Sequence, residues 1–194
     1  MDILILGGTQ FVGQYMVHEC LSRKHNVIVF NRGLSNPGLF SDIKNVKCIN
    51  GDRTKNDDLK SLNDEKWDVV IDVPYFPTDI VKKSVDSLYD KAKKYVFISS
   101  MSVYDKNGDN EYIKYCKNKL ESERLFYEKE LKSLIFRPGI LCGKADNTGR
   151  FDYTEDGIFW KGTKNLVRNY NMVHDFTKYV VDLIEDDYRG IYEY

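Results

Sequence analysis

Apolar positions along the chain fall into short blocks separated by longer amphipathic stretches, and this rhythm predicts strands alternating with helices. Ile3-Leu4-Ile5-Leu6 is an unbroken aliphatic run, as expected of a strand covered on both faces. Beyond a glycine-rich turn, Phe11, Val12, Tyr15, Met16 and Leu21 recur at near-helical spacing. Asn26 to Phe30, Val46 to Asn50, Trp67 to Val73, Tyr95 to Ser100 and Ser133 to Phe136 predict five further strands. Between them lie a short polar helix over Lys55 to Leu62, a helix from about Thr78 to Asp90 opened by Pro74 and Pro77, and a long helix from about Asn110 to Glu130. Leu34 to Ile43, centred on Asn36-Pro37-Gly38, reads as a loop. Phe151 to Tyr170 shows no firm periodicity. Val173-His174-Asp175-Phe176 opens a final helix, and Gly190-Ile191-Tyr192 is expected to return to the sheet. Such an alternation predicts an α/β fold with a parallel sheet.

Composition narrows the class only modestly. With 194 residues, 42% apolar and 30% charged, the chain suits one well-cored globular domain. A net charge of -1 provides no long-range field for nucleic acid or an anionic membrane. No segment approaches the roughly 20 apolar residues that span a bilayer, and the start does not read as a signal peptide, so a cytoplasmic protein is expected. Cys20, Cys48, Cys116 and Cys142 lack metal-ligand or disulfide spacing and read as buried thiols. His174 reads as structural, and no metal site is expected.

Candidate chemistry sits where the predicted strands end. Gly7-Gly8-Thr9-Gln10-Phe11-Val12-Gly13 joins a strand to a helix whose N-terminal amides can face a phosphate. At the end of the second strand a carboxylate would accept from a ribose 2′-hydroxyl, whereas an arginine pairs with a 2′-phosphate. The chain has Asn31 and Arg32 there, which predicts NADP(H) over NAD(H) if a nicotinamide cofactor binds; a solvated loop charge is the alternative. The third strand stops at Gly51-Asp52-Arg53, where Asp52 either meets an adenine amino group or caps the turn. Asp72 is expected to face solvent at a loop start or to shape the nicotinamide end. Ser99, Ser100 and Ser102 cluster after the fifth strand. Tyr115 and Lys119 share a helix face at i, i+4 spacing, where an ammonium would favour the phenolate and prepare the tyrosine for proton transfer. Tyr112 is a weaker candidate, because its i+4 neighbour is Cys116.

Taken together, Gly7-Gly8-Thr9 to Gly13, Asp52, Ser99-Ser100-Met101-Ser102-Val103-Tyr104, Tyr115 to Lys119, Leu120 to Glu123 and Arg137-Pro138-Gly139 resemble the short-chain dehydrogenase/reductase superfamily. The chain looks most like its NAD(P)-dependent epimerase/dehydratase branch, atypical members included. That resemblance implies a doubly wound Rossmann core over residues 1 to 150, and a much reduced substrate-side segment, 151 to 194, packed on the same domain. It implies hydride transfer at a carbinol or carbonyl carbon, with Ser100 orienting the substrate, Tyr115 transferring the proton, and Lys119 tuning Tyr115 and binding the nicotinamide ribose. Gly7, Thr9, Gln10, Phe11 and Val12 would line the pyrophosphate, with Asn31, Arg32, Asp52, Arg53, Arg137 and Pro138 completing the cofactor cleft.

Some positions depart from the branch. Gln10 replaces a usual glycine, and a Gly-Gly-Thr-x-Phe turn of this kind resembles atypical members such as the chloroplast stem-loop-binding proteins. Asp72-Val73-Pro74 replaces the usual Ala-Gly. So short a substrate-side segment implies partial cover of the cofactor, with a small substrate or a wall borrowed from a partner subunit. The branch's default substrate is a sugar nucleotide, and a homodimer through the helix carrying Tyr115 is implied. A non-catalytic dinucleotide-sensing, RNA-binding or protein-binding module is the alternative, with near-neutral charge speaking against nucleic acid. The arginine reading predicts tighter NADPH than NADH binding, lost in Arg32→Ala; equal dissociation constants in the unmodified protein would refute it.

Overall fold

A computed structural model describes residues 1–128, 132–154, 157–161 and 170–194. In order, the chain forms β1 (Asp2–Leu6), α1 (Phe11–Ser22), β2 (Asn26–Asn31), β3 (Val46–Asn50), α2 (Asn56–Lys60), β4 (Trp67–Asp72), α3 (Thr78–Leu88) and β5 (Ala92–Ile98). It continues through α4 (Asn110–Glu128), β6 (Ser133–Arg137), β7 (Ile140–Cys142), β8 (Phe151–Thr154), β9 (Gly157–Trp160), β10 (Tyr170–Met172), α5 (Val173–Glu185) and β11 (Gly190–Glu193).

Seven strands make one sheet in the order β3-β2-β1-β4-β5-β6-β11, and every neighbouring pair is parallel. The alternating pattern predicted the parallel α/β sheet, and the family resemblance its doubly wound Rossmann arrangement. The run Ile3 to Leu6 is apolar throughout because both faces of β1 are covered. Ile3 and Ile5 join a core with Met16 and Val17 of α1 and Val180 of α5, while Leu4 and Leu6 join Val81, Val85 and Phe126 of α3 and α4. Strand order reverses between β1 and β4, which opens a crevice beyond their carboxyl ends.

Beyond β6 the structure adds what the sequence pattern did not predict. A β8–β9 hairpin and a parallel β7–β10 pair lie within or beside the aperiodic stretch. They are three or four residues long, too short for alternation to register, and aromatic contacts hold them: Phe151 packs against Trp160 at 5.1 Å and Tyr170 at 5.4 Å. Residues 162–169, including Gly162, and the predicted end of the long helix at Lys129 and Glu130 lie outside the described residues. Gly190 to Tyr192 does return to the sheet, within β11 beside β6.

Three expectations are corrected. Asp72 does not face solvent: it is completely buried, because Arg53 neutralises it. Cys48 is an exposed thiol, since it lies on β3 at the sheet's edge; Cys20, Cys116 and Cys142 are buried and free. The polar helix is shorter than Lys55 to Leu62, because Leu59 and Leu62 anchor the segment while its ends turn. Among the described residues no helix is long and apolar enough to cross a membrane.

Gly13 sets how closely α1 can approach the turn before it. A Cβ there would lie 2.7 Å from the Gly8 nitrogen and 2.8 Å from its Cα, backbone atoms with no freedom to swing aside. Gly13→Ala should therefore cost about 1–3 kcal/mol of stability, read as a lower urea midpoint, and weaken dinucleotide binding with it. Wild-type values for both would show that the turn accommodates the extra carbon.

Candidate cofactor cleft and active site

The glycine turn is a backbone surface. Gly7 and Gly8 take φ angles of +112° and +90°, a region that disfavours side chains, and Gly8 also has no room for a Cβ because Val29 would lie 2.9 Å away. Phe11, the first residue of α1, holds a φ of +31°, so the helix starts on a strained residue. Among the described residues, the backbone N–H groups of Thr9, Gln10, Phe11, Val12 and Gly13 have no hydrogen-bond acceptor, and no carboxylate stands in the first turn. Free amides at the positive end of a 12-residue helix suit an anion.

Of these residues, Thr9, Gln10 and Gly13 border a cleft of about 300 Å³. Gly7, Thr9, Gln10, Asn31, Arg32, Asp52 and Arg53 all line it, as the sequence led one to expect. Phe11 and Val12 differ: their side chains pack against the core on the α1 side, leaving only their backbone to the turn. Gln10 is exposed, with its side chain along the wall. Asn31 is partly spent, since its Oδ1 accepts the Gly33 N–H at 2.6 Å. Arg32 is exposed and has no ion-pair partner among the described residues. The loop after β2 is pinned over the turn by Asn36, whose amide donates to the Thr9 carbonyl at 2.8 Å, and by buried Phe40; the sequence marked Asn36 only as a turn residue and gave Phe40 no role.

Across the cleft, Asp52 serves the turn it begins. Its Oδ1 accepts the Thr54 N–H at 2.9 Å, and this bond, aided by the Arg32 charge, holds its carboxyl below the usual range. Arg53 is 7% exposed, and its fork donates to both oxygens of Asp72 at 2.7 Å. Ser84 and Tyr95 complete this buried cluster, and the guanidinium lies over the Phe76 ring. Arg53 thus forms a wall of the cleft with its donors turned inward.

Beyond β5 the chain makes a 3-10 turn, Met101–Tyr104, capped by the Ser100 hydroxyl, which accepts the Ser102 N–H at 3.2 Å. The i, i+4 spacing does place Tyr115 and Lys119 together, with the ammonium 5.8 Å from the ring centroid. Lys119 is buried and donates to the carbonyls of Pro74 at 2.9 Å and Ile98 at 2.8 Å.

The electrostatics depart from the simple tyrosine–lysine expectation. Burial raises Tyr115 above the ordinary phenol value; the groups that pull it down are Ser100 and Ser102, while Tyr75 and Cys116 push it further up. Burial also lowers Lys119 from the ordinary 10.5 to about 8, against support from the carboxylates of Asp72 and Glu123. Tyr112, the second candidate, is paired with Asp105 and raised by burial and by that contact.

A second cleft of about 270 Å³ lies against α4, with Tyr115, Lys119 and Asn118 in its wall. Tyr75 and Phe76 line both clefts, and Tyr75, 86% exposed, packs its ring 5.9 Å from that of Tyr115. Arg137 and Pro138 line neither. Arg137 pairs with buried Glu123 through Nε at 3.0 Å and Nη2 at 2.6 Å, and with the Tyr104 hydroxyl; the Pro138 carbonyl accepts the Met101 N–H. Glu123 also takes the Ser99 hydroxyl at 2.5 Å. In the sequence it stood only as the end of the Leu120 to Glu123 segment, one turn beyond Lys119. Glu111, Lys114, Lys117, Glu121 and Arg124 make the exposed side of α4 charged rather than apolar.

The depressed lysine predicts a pH dependence. Between about pH 8 and 10.5 the unfolded chain holds a proton at Lys119 that the folded chain has released, so stability rises with pH across that window. The stability difference between the wild type and Lys119→Met should grow by at most about 3 kcal/mol over this range in denaturant titrations. A difference independent of pH would show that Lys119 titrates normally.

Comparison with known proteins agrees with this geometry. Among curated proteins, the chloroplast stem-loop binding protein of 41 kDa b from Arabidopsis thaliana is 31% identical over 163 residues, which span 73% of this chain and 42% of that protein. The chain thus covers less than half of that relative's length. The solved enzyme WbmH of Bordetella bronchiseptica, in complex with NAD+, superposes with a TM-score of 0.76 at 14% identity, over 100% of this chain and 75% of that one. UDP-glucose 4-epimerase of Thermus thermophilus, in complex with NAD, gives 0.76 at 16%, over 100% and 77%. A short-chain dehydrogenase/reductase of Veillonella parvula, in complex with NADP, gives 0.72 at 16%, over 99% and 93%. A family profile described as NAD(P)H-binding matches residues 7–186. The chain therefore belongs to the NAD(P)H-binding family, on the Rossmann fold that nicotinamide-dependent epimerases and short-chain dehydrogenases/reductases share.

Proposed function

We propose that the chain is a nicotinamide-dependent redox enzyme of the sugar-nucleotide epimerase/dehydratase type, using NADP(H) in preference to NAD(H). The glycine turn fits the cofactor's pyrophosphate: it offers free amides and a helix N-terminus where a side chain would collide. Arg32, exposed in the same cleft, supplies the charge for a 2′-phosphate. A bound nicotinamide would supply the hydride donor or acceptor. Ser100 orients the substrate hydroxyl or carbonyl, Tyr115 moves its proton, and Lys119 holds the ribose end while fastening α4 to the strand ends.

The observation that carries this reading is the grouping of a half-buried phenol, two serines and a buried lysine of depressed basicity beyond the carboxyl ends of the strands. Burial raises the proton affinity of Tyr115 and lowers that of Lys119. Their values move apart, so the phenol keeps its proton while the lysine gives up its own more readily. A sugar nucleotide as substrate rests on analogy with the structural neighbours. A homodimer through α4 would have to be formed by charge pairing, and a cytoplasmic setting completes the reading.

The second reading is a binding module without redox activity, favoured by one observation: the Arabidopsis relative is named for stem-loop binding. A net charge of -1 weighs against an RNA surface.

Tyr115→Phe separates the two. On the enzymatic reading it lowers turnover at least about 100-fold while the NADPH dissociation constant stays within about twofold. Full turnover in that variant would refute the assigned chemistry. A wild type without turnover on any sugar nucleotide, but with saturable binding of an RNA stem-loop, would select the second reading.

A further inference from the structure

Tyr75 stands where the two clefts meet. It lines both together with Phe76, but Phe76 is partly buried whereas Tyr75 is 86% exposed. A single exposed ring is common on a protein surface. This one is held in the mouth of a crevice by a backbone that has little room to retreat. Pro74 precedes it and Pro77 follows two positions later, and each fixes its own φ. The Pro74 carbonyl accepts the Lys119 ammonium at 2.9 Å, and the Arg53 guanidinium lies over the Phe76 ring at 5.3 Å. The segment is thus anchored on both sides of Tyr75, and the freedom left to that residue is in its side-chain torsions.

Among the described residues the Tyr75 ring has one ring partner, Tyr115, with centroids 5.9 Å apart and planes 33° from parallel. Most of the side chain stays open to the clefts. Asn31, Arg32 and Asp52 give the β2 and β3 side of the first cleft its charge and amides. Tyr75 belongs to the opposite side, where the second cleft continues to Tyr115, Asn118 and Lys119. A ligand with its phosphates on the glycine turn and its far end at Tyr115 has to pass along this ring. What the ring offers is a flat, apolar face with a negative quadrupole, which suits a flat heterocycle and gives nothing to a phosphate.

We infer that Tyr75 recognises the nicotinamide ring, packing its open face against that heterocycle and so selecting the complete dinucleotide over fragments that end at the second ribose. The contact supplies area and ring complementarity and moves no proton. Because the same ring meets Tyr115, recognition and proton transfer are placed at one end of the crevice. The inference rests on the nicotinamide cofactor of the proposed function.

Isothermal titration of the full chain with two probes tests it. One is NADPH; the other is 2′-phospho-ADP-ribose, which keeps the adenosine, every phosphate and the second ribose but lacks the nicotinamide. The wild type should bind NADPH more tightly. Tyr75→Ala should weaken NADPH binding about three- to tenfold, the size of one aromatic pair, and leave 2′-phospho-ADP-ribose within about twofold. Tyr75→Trp, which keeps a flat ring, should bind NADPH within about twofold of the wild type. Loss of so exposed a side chain should leave the Tm within about 2 °C, which separates a lost contact from a lost fold. Equal loss for both probes, unchanged or tighter NADPH binding in Tyr75→Ala, or a Tyr75→Trp variant as weak as Tyr75→Ala overturns the assignment, as does a wild type that binds the two probes alike. The readout needs no turnover, so its failure is distinct from that of the assigned chemistry, which Tyr115→Phe tests. A wild type that binds neither probe overturns both.

Discussion

Two hydrogen bonds from Lys119 tie α4 to the ends of β4 and β5 at once, through the carbonyls of Pro74 and Ile98. Everything at the active end of the crevice follows from that attachment. It sets the height at which Tyr115, one turn earlier, meets the serine turn, and it brings the Tyr75–Phe76 segment alongside α4. The attachment has a cost, because a buried ammonium is stable only where other dipoles and charges replace water. Two carbonyls and the carboxylates of Asp72 and Glu123 replace it in part, Arg53 opposes them, and burial still lowers the lysine to about 8.

The two supporting carboxylates are each committed elsewhere. Asp72 is held by Arg53 on one side of the lysine, and Glu123 by Arg137 and Ser99 on the other. Such buried pairs contribute little net stability against an apolar replacement, yet removing one partner costs about 3–5 kcal/mol, because the survivor is stranded. Their effect here is geometric. Arg53–Asp72 joins the exit of β3 to the end of β4, and Glu123–Arg137 joins α4 to the end of β6. Arg53 and Arg137 are better understood as walls and braces than as cofactor ligands, which leaves Arg32 as the exposed cation of the first cleft.

Much of the fold was legible in the sequence, for reasons that can be traced to residues. Ile3 to Leu6 is aliphatic at every position because alternate side chains enter different cores, and only a strand covered on both faces demands that. Tyr115 and Lys119 could be paired from spacing alone, because a helix puts positions four apart on one face. Asp72 could not be read in the same way. A carboxylate at the end of a strand faces solvent or a partner according to what the fold brings near it, and Arg53 lies 19 positions earlier in the chain. The ionisation of Tyr115 was hidden likewise: sequence neighbours pointed to Lys119, whereas burial and two serines across the turn govern it.

The sequence by itself determined the order of the large sheet's strands and of the helices between them, the glycine turn and the face on which the candidate catalytic pair lies. These depend on local conformation and on the periodicity of apolar side chains, which are properties of adjacent residues. The tertiary structure alone decided which charges are buried and where the lysine spends its hydrogen bonds. Those outcomes depend on solvent exclusion and on contacts between residues far apart in the chain, for which a linear pattern carries no signal.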